Sequence, residues 1–167
     1  MNEETSGIFI GEQEAVTLVR VEGRGTHQNS HFLKQYLLQC LDENRHLFQI
    51  DLSHCTYMDS TFLGMLAGIG SKVKESSLPT IKLLNTTERV LGMIQGLGID
   101  HLFQMIHEER VSVPLNKLHG EEISKETKSR EMLEAHEKLV SISQANEAKF
   151  RDVIELLRHK VGKIPSK

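Results

Sequence analysis

The sequence has no tryptophan and only two tyrosines, and aromatic residues make up 5% of its 167 positions. A surface for single-stranded nucleic acid relies on stacked aromatic side chains, and this composition does not supply them. Basic charge is not in excess either. Lys and Arg number 20 against 23 Asp and Glu, giving a net charge of −3 and a pI near 6.3. A duplex-binding domain needs a basic face, so nucleic acid is not an expected partner. There are two cysteines, Cys40 and Cys55, both in apolar surroundings and without metal-ligand spacing. They read as free buried thiols in a reducing compartment. No apolar run approaches the roughly 20 residues of a membrane span. The acidic start, MNEETSGIFIGEQE, has no apolar core of a secretory signal. These absences lead to the expectation of a cytoplasmic protein with no membrane association.

What is present is enough for one domain with a full core plus an appendage, since 38% of residues are hydrophobic. Gly7–Gln13 and Ala15–Val21 are rich in β-formers and predict two strands, with a hairpin turn at Glu12-Gln13-Glu14. Gly23-Arg24-Gly25-Thr26 breaks the pattern. Asn29 or Ser30 then caps a helix whose apolar face is Phe32, Leu33, Tyr36, Leu37, Cys40 and Leu41. His46–Leu52 is a nearly continuous apolar run, as a central strand covered on both faces requires. A sharp turn is expected at Tyr57-Met58-Asp59, followed by a helix over Ser60–Lys74. Gly64, Gly68 and Gly70 lie within that helix, each costing about 1 kcal/mol against Ala, and suggest its close approach to the sheet. Thr80–Leu84 reads as a strand and Thr87–Leu97 as a helix stopped by Gly96 and Gly98. Ile99–Ile106 reads as a short last strand or turn. The order β-β-α-β-α-β-α-β predicts an α/β fold, a small mixed sheet with helices packed on it.

After Val113 the character changes. The expected division is a domain over 1–113, a linker over 114–120 and a helical extension over 121–167. Between Glu121 and Lys160 there is neither proline nor glycine, which predicts a long C-terminal helix. Met132, His136, Leu139, Ser143, Asn146, Phe150, Val153 and Leu157 recur by four and three, a heptad-like seam with three polar members. Such a helix either folds back on its own domain or associates with a second copy or another partner, and the pattern alone leaves these open.

The segment Phe48–Gly70 joins a buried strand to a helix through an exposed polar corner. Asp51-Leu52-Ser53, then Met58-Asp59-Ser60-Thr61-Phe62-Leu63-Gly64, resembles the STAS family, whose pattern is a central strand ending in D-L-S followed by D-S-[ST]-G-L-G entering a helix. Thr86–Leu91 and Leu97–Phe103 resemble the family's usual ending. The likeness covers about Gly7 to Ile106 and is strongest to stand-alone anti-sigma-factor antagonists. It implies a switch rather than an enzyme, with no cofactor and no metal. Such antagonists control transcription by partner switching. The unphosphorylated form binds a partner that is both anti-sigma factor and serine kinase, phosphorylation releases it, and a PP2C-type phosphatase resets the cycle. The matching phosphoacceptor is Ser60, supported by Asp59 and Thr61. Partner contacts are expected at Gly25, Thr26, Met58, Phe62 and Met65.

Two positions depart from the family pattern. Phe62 stands where glycine is usual, and the Gly23–Thr26 loop lacks a customary acidic residue. The alternative role is a STAS scaffold subunit of a larger signalling or transport assembly, attached through the C-terminal helix, with a homodimer through that helix as one form. Read from the residues alone, D-S-T before an apolar helix is more often just a cap, with Asp59 or Ser60 as an N-cap worth about 1 kcal/mol. His27 and His31 are spaced by four but lack further ligands for a metal. His54 and Cys55 are adjacent in sequence, which seldom places a base on a nucleophile.

Overall fold

A computed structural model of the chain describes residues 6–107 and 113–163. Strands β1 (Gly7–Gln13) and β2 (Val16–Gly25) form an antiparallel hairpin. Its turn lies at Glu14-Ala15, one step later than the expected Glu12–Glu14. Glu14 takes a left-handed φ of 57°, and Glu12 and Gln13 stay in the strand. Helix α1 (Ser30–Asp42) follows, then β3 (Leu47–Asp51), β4 (Cys55–Met58), α2 (Ser60–Glu75), β5 (Ile81–Leu84) and α3 (Glu88–Gly96). A 3₁₀ turn at Asp100–Leu102 leads into β6 (Phe103–Ile106). The sheet runs β6-β5-β3-β2-β1-β7, where β7 is Asn116–Lys117. Its β2-β3-β5-β6 section is parallel, as short crossover helices require. The fold is therefore the expected mixed α/β sheet with helices packed on it.

Two expectations near the corner are corrected. The stretch before Asp59 is not a simple turn: Cys55–Met58 is a strand that pairs in parallel with Gly23–Gly25 of β2. It can do so because β2 does not stop before Gly23 but continues to Gly25, with a register shift between Gly23 and Arg24. Gly23 has φ 76°, and a Cβ there would lie 2.3 Å from the Ser6 hydroxyl, so the irregularity needs glycine.

The extension is two helices rather than one, α4 (Lys125–Ile142) and α5 (Ala145–Gly162). No proline or glycine causes the break. Ser143 turns to an extended conformation at φ −138°, ψ 118°. Asn146, buried, donates its amide to the carbonyls of Leu139 and Leu97 at 2.9 Å each, which supplies the end of α4 with a partner. The extension folds back: α4 packs on α2 and α5 packs on α4. Asn116–Lys117, within the stretch read as a linker, pair with Phe9 and Ile10 of β1. Residues 108–112, just before it, lie outside the described residues, as do 1–5, on which the signal-peptide reading bears.

The core is continuous from sheet to extension. Val19, Val21, Ile50, Leu83, Leu33, Leu37, Phe62, Leu66 and Leu139 are all essentially fully buried. Asp51 ends β3 with its carboxylate on Arg20 Nε at 3.0 Å, and its other oxygen accepts from the Ser53 amide. The D-L-S sequence thus closes the turn that leads to β4.

Candidate functional site

Helix α2 starts where β4 ends, and the join is tied down on three sides. The Asp59 amide donates to the Gly25 carbonyl at 2.9 Å, fixing the corner to the end of β2. Asp59 is the N-cap: its Oδ1 accepts from the Phe62 amide at 2.8 Å. Its Oδ2 accepts from the His27 amide at 2.8 Å and lies 3.3 Å from His27 Nδ1. The carboxylate is therefore fully engaged in holding the helix start and the 26–28 turn. Asn29, expected as a possible side-chain cap for α1, bonds elsewhere. Its side chain accepts from the Thr26 amide and donates to the Arg24 carbonyl, shaping the same loop.

Ser60 is the first residue of α2 and is half-buried. Its hydroxyl is not the cap and points instead at the extension. Ser60 Oγ lies 2.8 Å from Nε2 of His136 on α4. His136 Nδ1 is 2.6 Å from the Met132 carbonyl, which can only accept, so Nδ1 carries the proton. A neutral imidazole then presents Nε2 as the acceptor, and Ser60 donates. The ring is 4% exposed and meets Phe150 edge-on, centroids 5.1 Å apart.

One turn further along α2, the approach of the two helices is closest. A Cβ on Gly64 would fall 2.4 Å from the Ala135 carbonyl oxygen and 2.7 Å from its Cβ. The glycines of α2 were expected to bring it against the sheet. At Gly64 the close neighbour is α4, and only Gly70 abuts the sheet side, against Leu102 and Phe103. Around this crossing, α4 is joined to α1 by His31–Glu131 at 2.7 Å and Lys34–Glu134 at 3.1 Å. A pocket of about 270 Å³ remains between α1, α2 and α4, bordered by Thr61, Met65, Gly68, Lys34 and Lys138.

The other expected residues are placed as follows. Thr61 is buried at the pocket wall. Thr26 is half-exposed in the loop beside Asp59, with its hydroxyl accepting from the Gln28 amide. Met58 and Phe62 are turned into the core, and Met65 is nearly buried beside α4. With the extension docked, none of these three presents its side chain to solvent. Phe62 packs on Gly25, where a Cβ would fall 2.8 Å from the ring. The phenylalanine and the glycine are two halves of one contact.

In the sequence His136 reads only as a polar member of the tail seam. The available signal was that the seam's three polar positions interrupt an otherwise apolar face. All three have work in the structure: His136 meets Ser60, Ser143 makes the break, and Asn146 bridges Leu97 and Leu139. Cys40 and Cys55 are free and buried. Burial raises both thiol pKa values, which keeps them protonated and unsuited to nucleophilic roles.

The comparisons agree with this geometry. The family model described as Mlab, STAS domain matches residues 8–107. No curated protein matches the chain. Among solved structures, a candidate anti-sigma factor antagonist from Thermotoga maritima is similar, with 17% identity, a TM-score of 0.53, and coverage of 59% of this chain and 84% of its own. The anti-sigma factor antagonist SpoIIAA in its unphosphorylated form has 14% identity and a TM-score of 0.51 over 60% of this chain and 87% of its own. The phosphorylated form of the Bacillus cell fate determinant SpoIIAA has 13% identity and a TM-score of 0.52 over 61% and 91%. At these identities the likeness is one of fold, and in each case it covers about three fifths of this chain. With more than half of its length matched by the family model, the chain belongs to the STAS domain family.

Proposed function

We propose that the protein is a partner-switching module of the anti-sigma-factor antagonist type, with Ser60 as its phosphoacceptor. One observation carries this reading. Asp59 performs the whole capping task, so the Ser60 hydroxyl is left over from helix formation and bonds to His136 instead. The first turn of α2 offers unpaired amides and the positive end of the helix dipole, which tolerate a phosphate there. A phosphate adds about −1.5 to −2 charges next to the Asp59 carboxylate, and that change at a contact face ends binding without refolding. The partner in this reading is an anti-sigma factor that is also a serine kinase, with a PP2C-type phosphatase restoring the hydroxyl. The protein itself performs no catalysis, acts in the cytoplasm and regulates transcription. Among the described residues, no helix is long and apolar enough to cross a membrane.

A scaffold role is the second reading. It is favoured by Leu156, which lies on α5 and is 55% exposed, a hydrophobic foothold for attachment to an assembly.

The test is incubation with ATP and a serine kinase of the anti-sigma-factor class, followed by mass spectrometry. The expected product carries one phosphate on Ser60 and is absent for Ser60→Ala, while Ser60→Asp weakens kinase binding. Phosphate appearing elsewhere, or undiminished binding by Ser60→Asp, would overturn the switch.

A further inference from the structure

The α4–α5 hairpin sits on the one surface that the switch needs. Resting on the reading of Ser60 as the controlled residue, we infer that the hairpin is a built-in occupant of the partner-binding face. A protein partner reaches Ser60 only when the hairpin lifts, and it does so with a helix that replaces α4.

The contact itself says what such a partner must look like. Gly64 leaves room for a backbone to lie directly on α2, and α4 uses that room with Ala135, whose carbonyl and Cβ fill it. A competing helix therefore needs a small residue at its crossing point, with a side chain one residue later able to accept from the Ser60 hydroxyl, as His136 does. Carboxylates on the flank complete the match, because α1 offers His31 and Lys34 to Glu131 and Glu134.

Closed, the arrangement ties up the Ser60 hydroxyl. The hydroxyl is 2.8 Å from an imidazole that is 4% exposed, and no phosphoryl group fits in that gap. A phosphate on Ser60 and a docked α4 are mutually exclusive.

The hairpin is also built to come away. Of the residues in α4, only Ala135, His136 and Leu139 are buried; the His31–Glu131 pair to α1 is partly buried, and the Lys34–Glu134 pair lies at the exposed rim. The base of α5 is held by hydrogen bonds, from Asn146 to Leu97 and from Lys149 Nζ to the Gly96 carbonyl. Both carbonyls lie at the end of α3, and water reaches them once α5 has lifted away. The hairpin cannot go far. The Leu118 amide donates to the Ile8 carbonyl at 2.7 Å, and the segment from there to Ser124 spans at most about 20 Å. An opened hairpin thus stays at a high effective concentration. A partner competes with it, and apparent affinity is reduced by the fraction of molecules that are open.

The test needs no kinase. Ser60→Cys in the full chain places a thiol under His136, while Cys40 and Cys55, 0% and 1% exposed, stay silent toward Ellman's reagent in folded protein. The introduced thiol is expected to react roughly tenfold or more slowly than in Ser60→Cys combined with Ala135→Arg, whose bulk holds α4 off Gly64. Equal rates in the two proteins, fast or slow, would overturn the inference. The silent native thiols verify folding of the double variant. Should they react too, Lys34→Glu, which sets like charges against Glu131 and Glu134, replaces Ala135→Arg and is held to the same comparison. The two readings fail separately. Phosphate entering Ser60 equally fast with and without Ala135→Arg would refute the mask and leave the switch standing. A masked thiol in a protein whose Ser60 takes no phosphate, even with Ala135→Arg, would refute the switch and leave the mask.

Discussion

Substituting Gly64 by alanine sets two known effects against each other. The gain is intrinsic: Ala favours helix over Gly by about 1 kcal/mol. The loss comes from the crossing with α4. The added methyl would sit 2.4 Å from a backbone oxygen and 2.7 Å from a backbone carbon of Ala135. Neither atom is the end of a flexible side chain, so α4 as a whole must move outward by about 1 Å to restore ordinary contact. Overpacking of this kind costs about 1–3 kcal/mol. The shift also breaks the 2.8 Å bond between Ser60 and His136, worth a further ~0.5–1.5 kcal/mol. Because α2 is helical whether or not α4 is docked, the propensity gain cancels in that equilibrium, and the cost against docking is about 3 kcal/mol, or on the order of a hundredfold in the ratio of docked to undocked hairpin. Hydrogen exchange reads this directly, as faster exchange of amides in Lys125–Ile142 while β3 and β5 keep their protection. Gly68→Ala is the internal control. One turn along the same helix, its Cβ meets nothing within 4 Å, so it should stabilise α2 by about 0.4–1 kcal/mol and leave α4 exchange unchanged. If the two substitutions act alike on α4, the close approach at Gly64 is not what sets the helix crossing.

Asp59→Ala removes the cap of α2 and the anchor of the 26–28 turn together. A loss of about 1–2 kcal/mol is expected in denaturant unfolding, and a midpoint equal to wild type would refute the double role. Asn146→Ala should lower stability by about 1–3 kcal/mol by stranding the Leu97 and Leu139 carbonyls. Asn146→Asp should be worse, because its carboxylate would face two acceptors; thermal melting of the two variants checks the ranking. Alkaline pH should weaken the fold. Burial raises the thiol pKa values of Cys40 and Cys55 above 9.0, and burial, then the neighbouring Cys40, raises Tyr36 to about 12. The folded chain keeps protons that the unfolded chain releases, so stability is complete below about pH 9 and falls as pH rises toward 12. Denaturant midpoints between pH 8 and 10.5 should decline, and a flat profile would count against these burials.

Local pattern was enough to place the central strand, the corner and α2, because apolar periodicity and the cap chemistry of Asp59 point the same way. It failed where pairing is decided at a distance. Gly23 looks like a strand terminator in sequence, yet β2 runs through it because Cys55–Met58 comes alongside. The glycines of α2 correctly signalled a close neighbour, but periodicity cannot say whether that neighbour is the sheet or the tail. The tail's fold-back was one of the open alternatives, and its deciding features, a glycine-to-alanine crossing and a buried histidine, involve residues more than 70 positions apart. Ser60 itself was legible as a residue on an exposed corner, whereas its cover was not.

The contact between Phe62 and Gly25 makes two distant positions a single inherited unit. A ring at 62 occupies the space that any side chain at 25 would need, and 25 ends β2 beside the start of α2. The 23–26 loop of a relative with glycine at the later position would carry no such constraint and could hold a larger residue. Grafting that loop onto this chain would drive the ring out of the core, and grafting this loop onto the relative would leave a void. Chimeras that exchange the 23–26 segment within the family therefore have to move the start of α2 along with it.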